Sequence, residues 1–261
     1  MPDRPIDELL EFAVEAAWEA GRITLAHFQT VLEVEQKADQ SPVTIADRTA
    51  EEKLRSLIHA RFPNDAICGE EFGEDPGSSG YRWILDPIDG TKSFIHGVPL
   101  YGVMIAAEFA GRSIVGVVNL PALGELICAA RGGGCFWNGR RAAVSNVDQL
   151  DRATLVMTNP TGFARVGKHE AYERLTAVTQ VNRGWGDCYG HVLVATGRAD
   201  IMLDPVTSLW DCAALQPIVE EAGGTFTDWQ GEPTIYGGDA IATNGHLFQK
   251  VMDIVRAEGQ S

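Results

Sequence analysis

The residues in this chain best suited to chemistry are acidic side chains beside apolar segments. Glu70, Asp86 and Asp89 each come shortly after a short apolar segment, and Asp211 opens a pattern typical of a helix. Carboxylates with no His or Cys nearby are ligands that Mg²⁺ and Mn²⁺ prefer and zinc does not. The pattern therefore favours a divalent-cation site. Capping of turns and helices by the same carboxylates is the alternative that spacing alone leaves open.

The segment 86–91, Asp-Pro-Ile-Asp-Gly-Thr, combines several features that a phosphate site needs. Asp86 and Asp89 are close enough in the chain to converge on one point. Gly90 permits close backbone approach, and Thr91 can begin a helix whose first N–H groups would face a phosphate. Carboxylates and phosphate-directed amides are compatible only if a cation lies between them.

Charge and composition narrow the function further. The chain has 261 residues and a formal net charge of −15, which argues against nucleic acid or an anionic membrane as a partner. No apolar run reaches the length of about 18 residues that a membrane span needs. The five cysteines are scattered and odd in number, which is typical of reduced thiols in a cytoplasmic protein.

The hydrophobic periodicity changes along the chain. Helical spacing covers 6–28 and 43–62, and strands with hairpin turns follow up to about residue 145. Beyond that point strands alternate with helices at 168–178, 187–196, 210–222 and 246–256. The pattern predicts a layered α/β protein with a soft boundary near Ser145.

Four ordered motifs together resemble the inositol monophosphatase family. They are Ser-Pro-Val-Thr-Ile-Ala-Asp at 41–47, Gly-Glu-Glu at 69–71, the segment 83–91, and Trp-Asp at 210–211 with Glu-Ala-Gly-Gly at 221–224. The resemblance covers about residues 6–256. It implies an αβαβα sandwich, with a metal- and phosphate-binding half at 1–145 and a substrate-specificity half at 146–261, packed as one unit.

The resemblance also implies a site with two or three Mg²⁺ ions, with Mn²⁺ as a possible substitute. Glu70, Asp86 and the carbonyl of Ile88 would hold one ion. Asp86, Asp89 and Asp211 would hold a second, and Glu70 would help to place a third.

Roles in catalysis follow from the same resemblance. Thr91 and Asp47 would orient and help deprotonate the attacking water, alongside the metal ligand Glu70. The amides of Gly90 and Thr91 would hold the phosphate. The implied reaction is hydrolysis of a small-molecule phosphate monoester, in a protein that is expected to be a homodimer.

Residues in the second half of the chain indicate which alcohol the substrate contains. Inositol phosphatases of the family commonly carry small residues where this chain has Asp187, and an acid there resembles the histidinol-phosphate phosphatases. Asp204, Arg183 and Asn159 are further candidates for substrate contacts. Asp187 and Asp204 could bind a cationic substrate, since histidinol phosphate carries an ammonium and an imidazole.

Two other functions stay open at this point. One is an inositol monophosphatase or a broader sugar-phosphate phosphatase. The other is a non-catalytic binding protein on the same fold, because fold alone does not establish activity.

Overall fold

The computed structural model describes residues 4–31, 34–36 and 42–257. Ser41 of the upstream motif lies outside the described residues. The helices are α1 Ile6–His27, α2 Ile45–Arg61, α3 Thr91–Ile95, α4 Pro160–Arg165, α5 His169–Val178, α6 Asp187–Ala195, α7 Leu209–Ala213, α8 Leu215–Glu221 and α9 Phe248–Arg256.

The strands form one large sheet, one smaller sheet and a short two-stranded ladder. They are β1 Val34–Gln36, β2 Pro42–Thr44, β3 Ala66–Gly69, β4 Gly73–Asp75, β5 Tyr81–Asp89, β6 Gly102–Phe109, β7 Arg112–Leu120, β8 Glu125–Ala130, β9 Gly134–Trp137, β10 Arg140–Arg141, β11 Thr154–Met157, β12 Val181–Arg183, β13 Ile201–Asp204, β14 Thr225–Thr227 and β15 Ala240–Thr243. The large sheet has the order β10-β9-β8-β7-β6-β5-β3-β4, and the small sheet has the order β12-β11-β13-β15-β14.

Three apolar cores separate five layers. The first core joins α1 and α2 to one face of the large sheet. The second fills the space between the two sheets, around α6, α7 and α8. The third joins the far face of the small sheet to α4, α5 and α9. The αβαβα sandwich expected from the resemblance is therefore confirmed.

Each sheet is drawn from a separate part of the chain. The large sheet uses residues 66–141 and the small sheet uses residues 154–243. The division into halves at 1–145 and 146–261 stays a prediction, because the central core joins both sheets. Within the described residues, no helix has the length and apolar character that crossing a membrane requires.

β5 continues as a strand beyond the apolar residues 83–85 and ends at Asp89. Its pairing with β6 shifts between Asp86, which faces Met104, and Asp89, which faces Gly102. Two residues of β5 therefore stand opposite one residue of β6, which is a β-bulge. Pro87 lies in the bulge, where a residue without an N–H group is tolerated inside a sheet.

The bulge decides where the two carboxylates point. Residues three apart in a regular strand face opposite sides of a sheet. The extra residue places Asp86 and Asp89 opposite Met104 and Gly102, which are two apart and share one face. Met104 belongs to the core between the sheets, so both carboxylates face the central layer.

The predicted helix at 210–222 is divided into α7 and α8. Pro217 has no N–H group to donate to the carbonyl of Ala213, four residues earlier. That buried carbonyl instead accepts a hydrogen bond of 2.6 Å from the hydroxyl of Ser113 on β7. The large sheet therefore supplies the donor that the helix lacks.

Replacing Ser113 by alanine should destabilise the fold. Loss of the hydroxyl leaves the Ala213 carbonyl buried without its donor, at a cost of about 1–3 kcal/mol in the free energy of unfolding. Urea unfolding measures the change. Thr30→Ala is the matched control, since Thr30 donates the same kind of bond, to the His27 carbonyl, at the surface. Equal effects of the two substitutions would contradict the role of Ser113.

Candidate active site

Two parallel strands bring the first acidic residues together. β3 and β5 pair in parallel, with Gly69 opposite Leu85. The carboxyl ends of parallel strands meet at the same edge of a sheet. Glu70 follows β3 directly, and its amide donates to the Leu85 carbonyl at 3.2 Å. Glu70 therefore lies beside Asp86.

Asp211 reaches the same point from the other half of the chain. It lies in the first turn of α7, where its Oδ2 accepts the Ser208 N–H at 2.7 Å in a capping box. Asp211 therefore both caps α7 and belongs to the acidic cluster. Carboxylate oxygens of Asp86, Asp89 and Asp211 all lie within 4.8 Å of one another.

Burial and mutual repulsion raise the pKa values of these carboxyl groups. Desolvation is the largest cause for Asp86 and Asp89, and neighbouring carboxylates add to it, with Glu70 acting on Asp86 and Asp187 acting on Asp89. Desolvation likewise raises the pKa of Asp211 from 3.8 to about 7. Such a cluster is unfavourable unless a cation or protons neutralise it. The donor set, made of hard carboxylate oxygens, fits a divalent cation of the Mg²⁺ type.

The turn after β5 is shaped for close approach. Gly90 has a φ of 83°, and a Cβ there would lie 2.9 Å from the Leu100 carbonyl oxygen and 3.2 Å from Asp187 Oδ2. Only glycine fits both the backbone conformation and the space. Thr91 then begins α3, and its hydroxyl donates to the Ile88 carbonyl at 3.0 Å.

Asp47 is buried in the first turn of α2. Its Oδ2 accepts from the N–H and the hydroxyl of Thr44, at 2.8 and 2.6 Å. Its Oδ1 is buried with no hydrogen-bond partner among the described residues. Burial raises the pKa of Asp47 to about 6, and Glu70 adds to the increase. The hydroxyl of Thr91 donates to the Ile88 carbonyl, and the joint role of Thr91 and Asp47 in activating water stays a prediction.

A small cavity extends the site toward the second half of the chain. It measures about 70 Å³, and its lining includes four carboxylates and one hydroxyl. These belong to Asp89, Asp187, Asp204, Asp211 and Thr158. Of the substrate residues predicted from the sequence, the structure brings Asp187 and Asp204 to this cavity.

Asp187 opens α6 with a backbone φ of 52°, in the left-handed region. Its amide donates to Thr158 Oγ1 at 2.9 Å. The next amide, of Cys188, donates to Asp89 Oδ2. Burial raises the pKa of Asp187 to about 7, Asp204 adds to the increase, and Lys92 opposes it.

Asp204 is the last residue of β13, and two buried side chains lie next to it. Its backbone carbonyl accepts the indole N–H of Trp229 at 3.1 Å. The imidazole Nε2 of His191 lies 3.6 Å from Asp204 Oδ2. The backbone of Asp204 is therefore held at the cavity, with its carboxylate next to a buried imidazole.

The other two predicted substrate residues have different surroundings. Arg183 is exposed on β12, and its guanidinium donates to the Asn182 carbonyl at 2.7 Å. Asn159 caps α4, with its Oδ1 accepting the Thr161 N–H at 3.0 Å. Neither is among the residues that line the cavity. Their roles in substrate binding stay predictions.

Two residues at the site were missed by the sequence analysis. Thr158 lines the cavity. Glu51 is buried in α2 and accepts the amides of Glu71 and Phe72, at 2.8 and 3.2 Å, which fixes the turn that carries Glu70. The one sequence signal that could have identified Glu51 is its spacing from Arg55, at i and i+4 of a predicted helix. In the structure the two side chains form an ion pair of 2.8 Å.

Comparison with known proteins agrees with this geometry. The model of the inositol monophosphatase family matches residues 6–260. A histidinol-phosphatase of Chlorobaculum parvum is 49% identical, covering 90% of this chain and 91% of that protein. The histidinol-phosphatase of Mycobacterium tuberculosis is 40% identical, covering 96% and 98%. A solved inositol monophosphatase from Zymomonas mobilis is 31% identical, with a TM-score of 0.87 over 97% of this chain and 100% of that one. The chain belongs to the inositol monophosphatase family.

The raised pKa values predict how stability depends on pH when divalent cations are chelated. Asp187 and Asp211, with pKa values of about 7 against 3.8 ordinarily, bind more protons in the native state than in the unfolded state between these values. Their contribution to stability is therefore full below about pH 4 and is lost as the pH rises through 7.

In EDTA the free energy of unfolding should fall between about pH 4 and pH 7, and Mg²⁺ should reduce that fall. Asp211→Asn should reduce it as well, because it removes one repelling charge. Chemical unfolding at a series of pH values tests this. A chelated protein whose stability rises over that interval would contradict the account.

Proposed function

We propose that the protein is a Mg²⁺-dependent phosphomonoesterase that hydrolyses histidinol phosphate to histidinol and phosphate. The observation that supports the proposal best is that two sets of acidic residues come together at one cavity. Asp86, Asp89 and Asp211 form a set suited to cations, and Asp187 and Asp204 line the same cavity as Asp89 and Asp211. The first set supports phosphate ester hydrolysis, and the second supports a cationic alcohol.

The metal ligands are proposed as the resemblance gives them. Glu70, Asp86 and the Ile88 carbonyl would hold one Mg²⁺, and Asp86, Asp89 and Asp211 a second, with Glu70 also near a third. Divalent cations supply Lewis acidity: they lower the pKa of water and neutralise the charge on a phosphate. In a chain with a net charge of −15, this neutralisation is needed for an anionic substrate to approach.

The remaining steps belong to the chain's own residues. The amides of Gly90 and Thr91 would bind phosphate oxygens where α3 begins. Thr91 Oγ1 already donates its proton to Ile88, so its oxygen is oriented to accept from a water. Asp47 Oδ1, buried and without a partner among the described residues, would take up the proton of that water. Attack of the resulting hydroxide on phosphorus then forms the new P–O bond and breaks the ester P–O bond. The departing alcohol oxygen takes up a proton from solvent, and Asp47 returns its proton to solvent.

Selectivity for the alcohol would come from Asp187 and Asp204. Asp204 contributes to the raised pKa of Asp187, so the two carboxylates repel each other across the cavity. An ammonium or imidazolium group between them would relieve the repulsion. Neutral inositol would not. The two relatives named histidinol-phosphatase, 49% and 40% identical over most of the chain, support the same choice.

An inositol or sugar monophosphatase is the second candidate. The likeness to the Zymomonas inositol monophosphatase supports it. The measure that separates the two is kcat/KM for histidinol phosphate against inositol 1-phosphate. A clear preference for inositol 1-phosphate would contradict the proposed function.

The resemblance also leads us to propose a cytoplasmic homodimer. All five cysteines are free thiols, and four of them are buried, which is compatible with a reducing compartment. Sedimentation of the purified protein tests the oligomeric state.

Removal of the cations, or of one of their ligands, should abolish hydrolysis. EDTA is expected to eliminate activity and added Mg²⁺ to restore it. Asp86→Asn should lower kcat by about 100-fold or more, since the charge stabilisation at stake is several kcal/mol. Asp151→Asn is the control, because Asp151 is exposed and does not line the cavity. Full activity of Asp86→Asn in Mg²⁺ would contradict the metal assignment.

Replacing Asp187 by serine should weaken binding of histidinol phosphate. Loss of a charge-assisted hydrogen bond corresponds to about 1.5–3 kcal/mol, which should raise KM for this substrate far more than for inositol 1-phosphate. Asp151→Ser is the matched control, since it makes the same change in net charge at an exposed position. Unchanged KM in Asp187→Ser would count against the role of Asp187.

A further inference from the structure

The backbone at Asp187 is held in a conformation that residues with a side chain seldom adopt. Its φ of 52° lies in the left-handed region, which is unfavourable for most residues other than glycine and which Asn and Asp adopt more readily than the rest. Such a conformation persists only where the surroundings fix it. The structure therefore contains contacts that hold this residue, and they can be identified.

One contact comes from Thr158, the residue that follows β11. Its Oγ1 accepts the Asp187 N–H at 2.9 Å, 29 residues apart in the chain. The preceding residue reinforces the contact. A Cβ on Gly186 would lie 2.1 Å from Thr158 Cα, so the two backbones touch and only glycine fits between them.

A second contact comes from the opposite side. The Cys188 N–H donates to Asp89 Oδ2, which lies at the end of β5 in the large sheet. The first two amides of α6 are thus directed one to each sheet. Thr158, which follows β11 of the small sheet, therefore holds the start of α6 on the side of that sheet.

The direction of the Asp187 carboxylate depends on this arrangement. Its Oδ2 lies 3.2 Å from the position that a Cβ of Gly90 would occupy, beside the proposed phosphate site. It also lines the cavity together with Asp204. A rotation of the backbone at Asp187 would move the carboxylate away from one or both of these neighbours.

We infer that Thr158 is a positioning residue for substrate selectivity: its hydroxyl holds the Asp187 backbone so that the carboxylate faces the cationic part of the substrate. Thr158 acts through Asp187 and not on the phosphate. The inference rests on the proposed function for its substrate, although not for the contact itself.

The test compares two substitutions of Thr158. Thr158→Val keeps the shape and removes the acceptor, whereas Thr158→Ser keeps the hydroxyl. The measured quantity is the ratio of kcat/KM for histidinol phosphate to kcat/KM for inositol 1-phosphate. The valine variant should lower this ratio about five- to tenfold, the range of one ordinary hydrogen bond. The serine variant should stay within about twofold of the wild type.

A double-mutant cycle shows whether the effect passes through Asp187. In the background of Asp187→Asn, where the carboxylate is absent, Thr158→Val should change the ratio by less than about twofold. Equal losses for both substrates, or the same loss in the Asp187→Asn background, would overturn the inference, because a packing role would produce them. Thr158→Ala serves the same test if the valine variant does not fold.

Hydrogen exchange separates this inference from the proposed function. The Asp187 amide should exchange faster in Thr158→Val than in Thr158→Ser, whichever phosphate ester is the better substrate. If the wild type prefers inositol 1-phosphate while the amide behaves as expected, the proposed substrate is wrong and the contact stands. If exchange is unchanged in the valine variant, the positioning role is overturned and the proposed substrate is unaffected.

Discussion

Repulsion among buried carboxylates is the interaction on which this structure depends. Asp86, Asp89 and Asp211 have oxygens within 4.8 Å of one another, and the burial of Asp86 and partial burial of Asp89 and Asp211 limit the screening by water. A protein does not gain stability from such a cluster in the absence of cations. The arrangement is favourable only when positive charge occupies the space between the oxygens, which is why it points to cation-dependent chemistry on an anion.

The architecture can be understood as the means of bringing these groups together. Parallel pairing of β3 and β5 places Glu70 beside Asp86. The bulge in β5 turns Asp89 to the same face. The central layer then contributes the first turns of α6 and α7, so residues about 100 positions later meet the edge of the large sheet. The proposed metal ligands and the proposed substrate contacts thus come from the large sheet, the central helices and the small sheet, and Asp89, Asp187, Asp204 and Asp211 line one cavity.

Much of this could be predicted from the sequence, for physical reasons. Apolar segments followed by acids predict strand ends, and the motif at 86–91 and Asp211 together led to the family and its sandwich, both confirmed. The bulge could not be predicted, because Pro87 is as compatible with a tight turn as with an irregular strand. The break in the predicted helix at 210–222 had a local signal in Pro217, whereas the donor that compensates it, Ser113, is about 100 residues away.

The residues proposed to contact the substrate alcohol were harder to predict, because their positions depend on backbone conformation and on contacts between distant residues. Asp187 was identified, but its left-handed φ and its bond to Thr158 leave no local signal. Asn159 and Arg183 were expected to bind substrate, and the structure gives them capping and surface contacts. Residue type alone does not show which of several polar groups near a strand end will face the cavity.

The most direct test of the account is diffraction from crystals grown with Mn²⁺, which occupies Mg²⁺ sites and scatters anomalously. The account predicts a strong anomalous peak enclosed by Asp86, Asp89 and Asp211, with a second between Glu70 and Asp86. An absence of peaks among these carboxylates at saturating Mn²⁺, in crystals that retain this fold, would contradict the central claim.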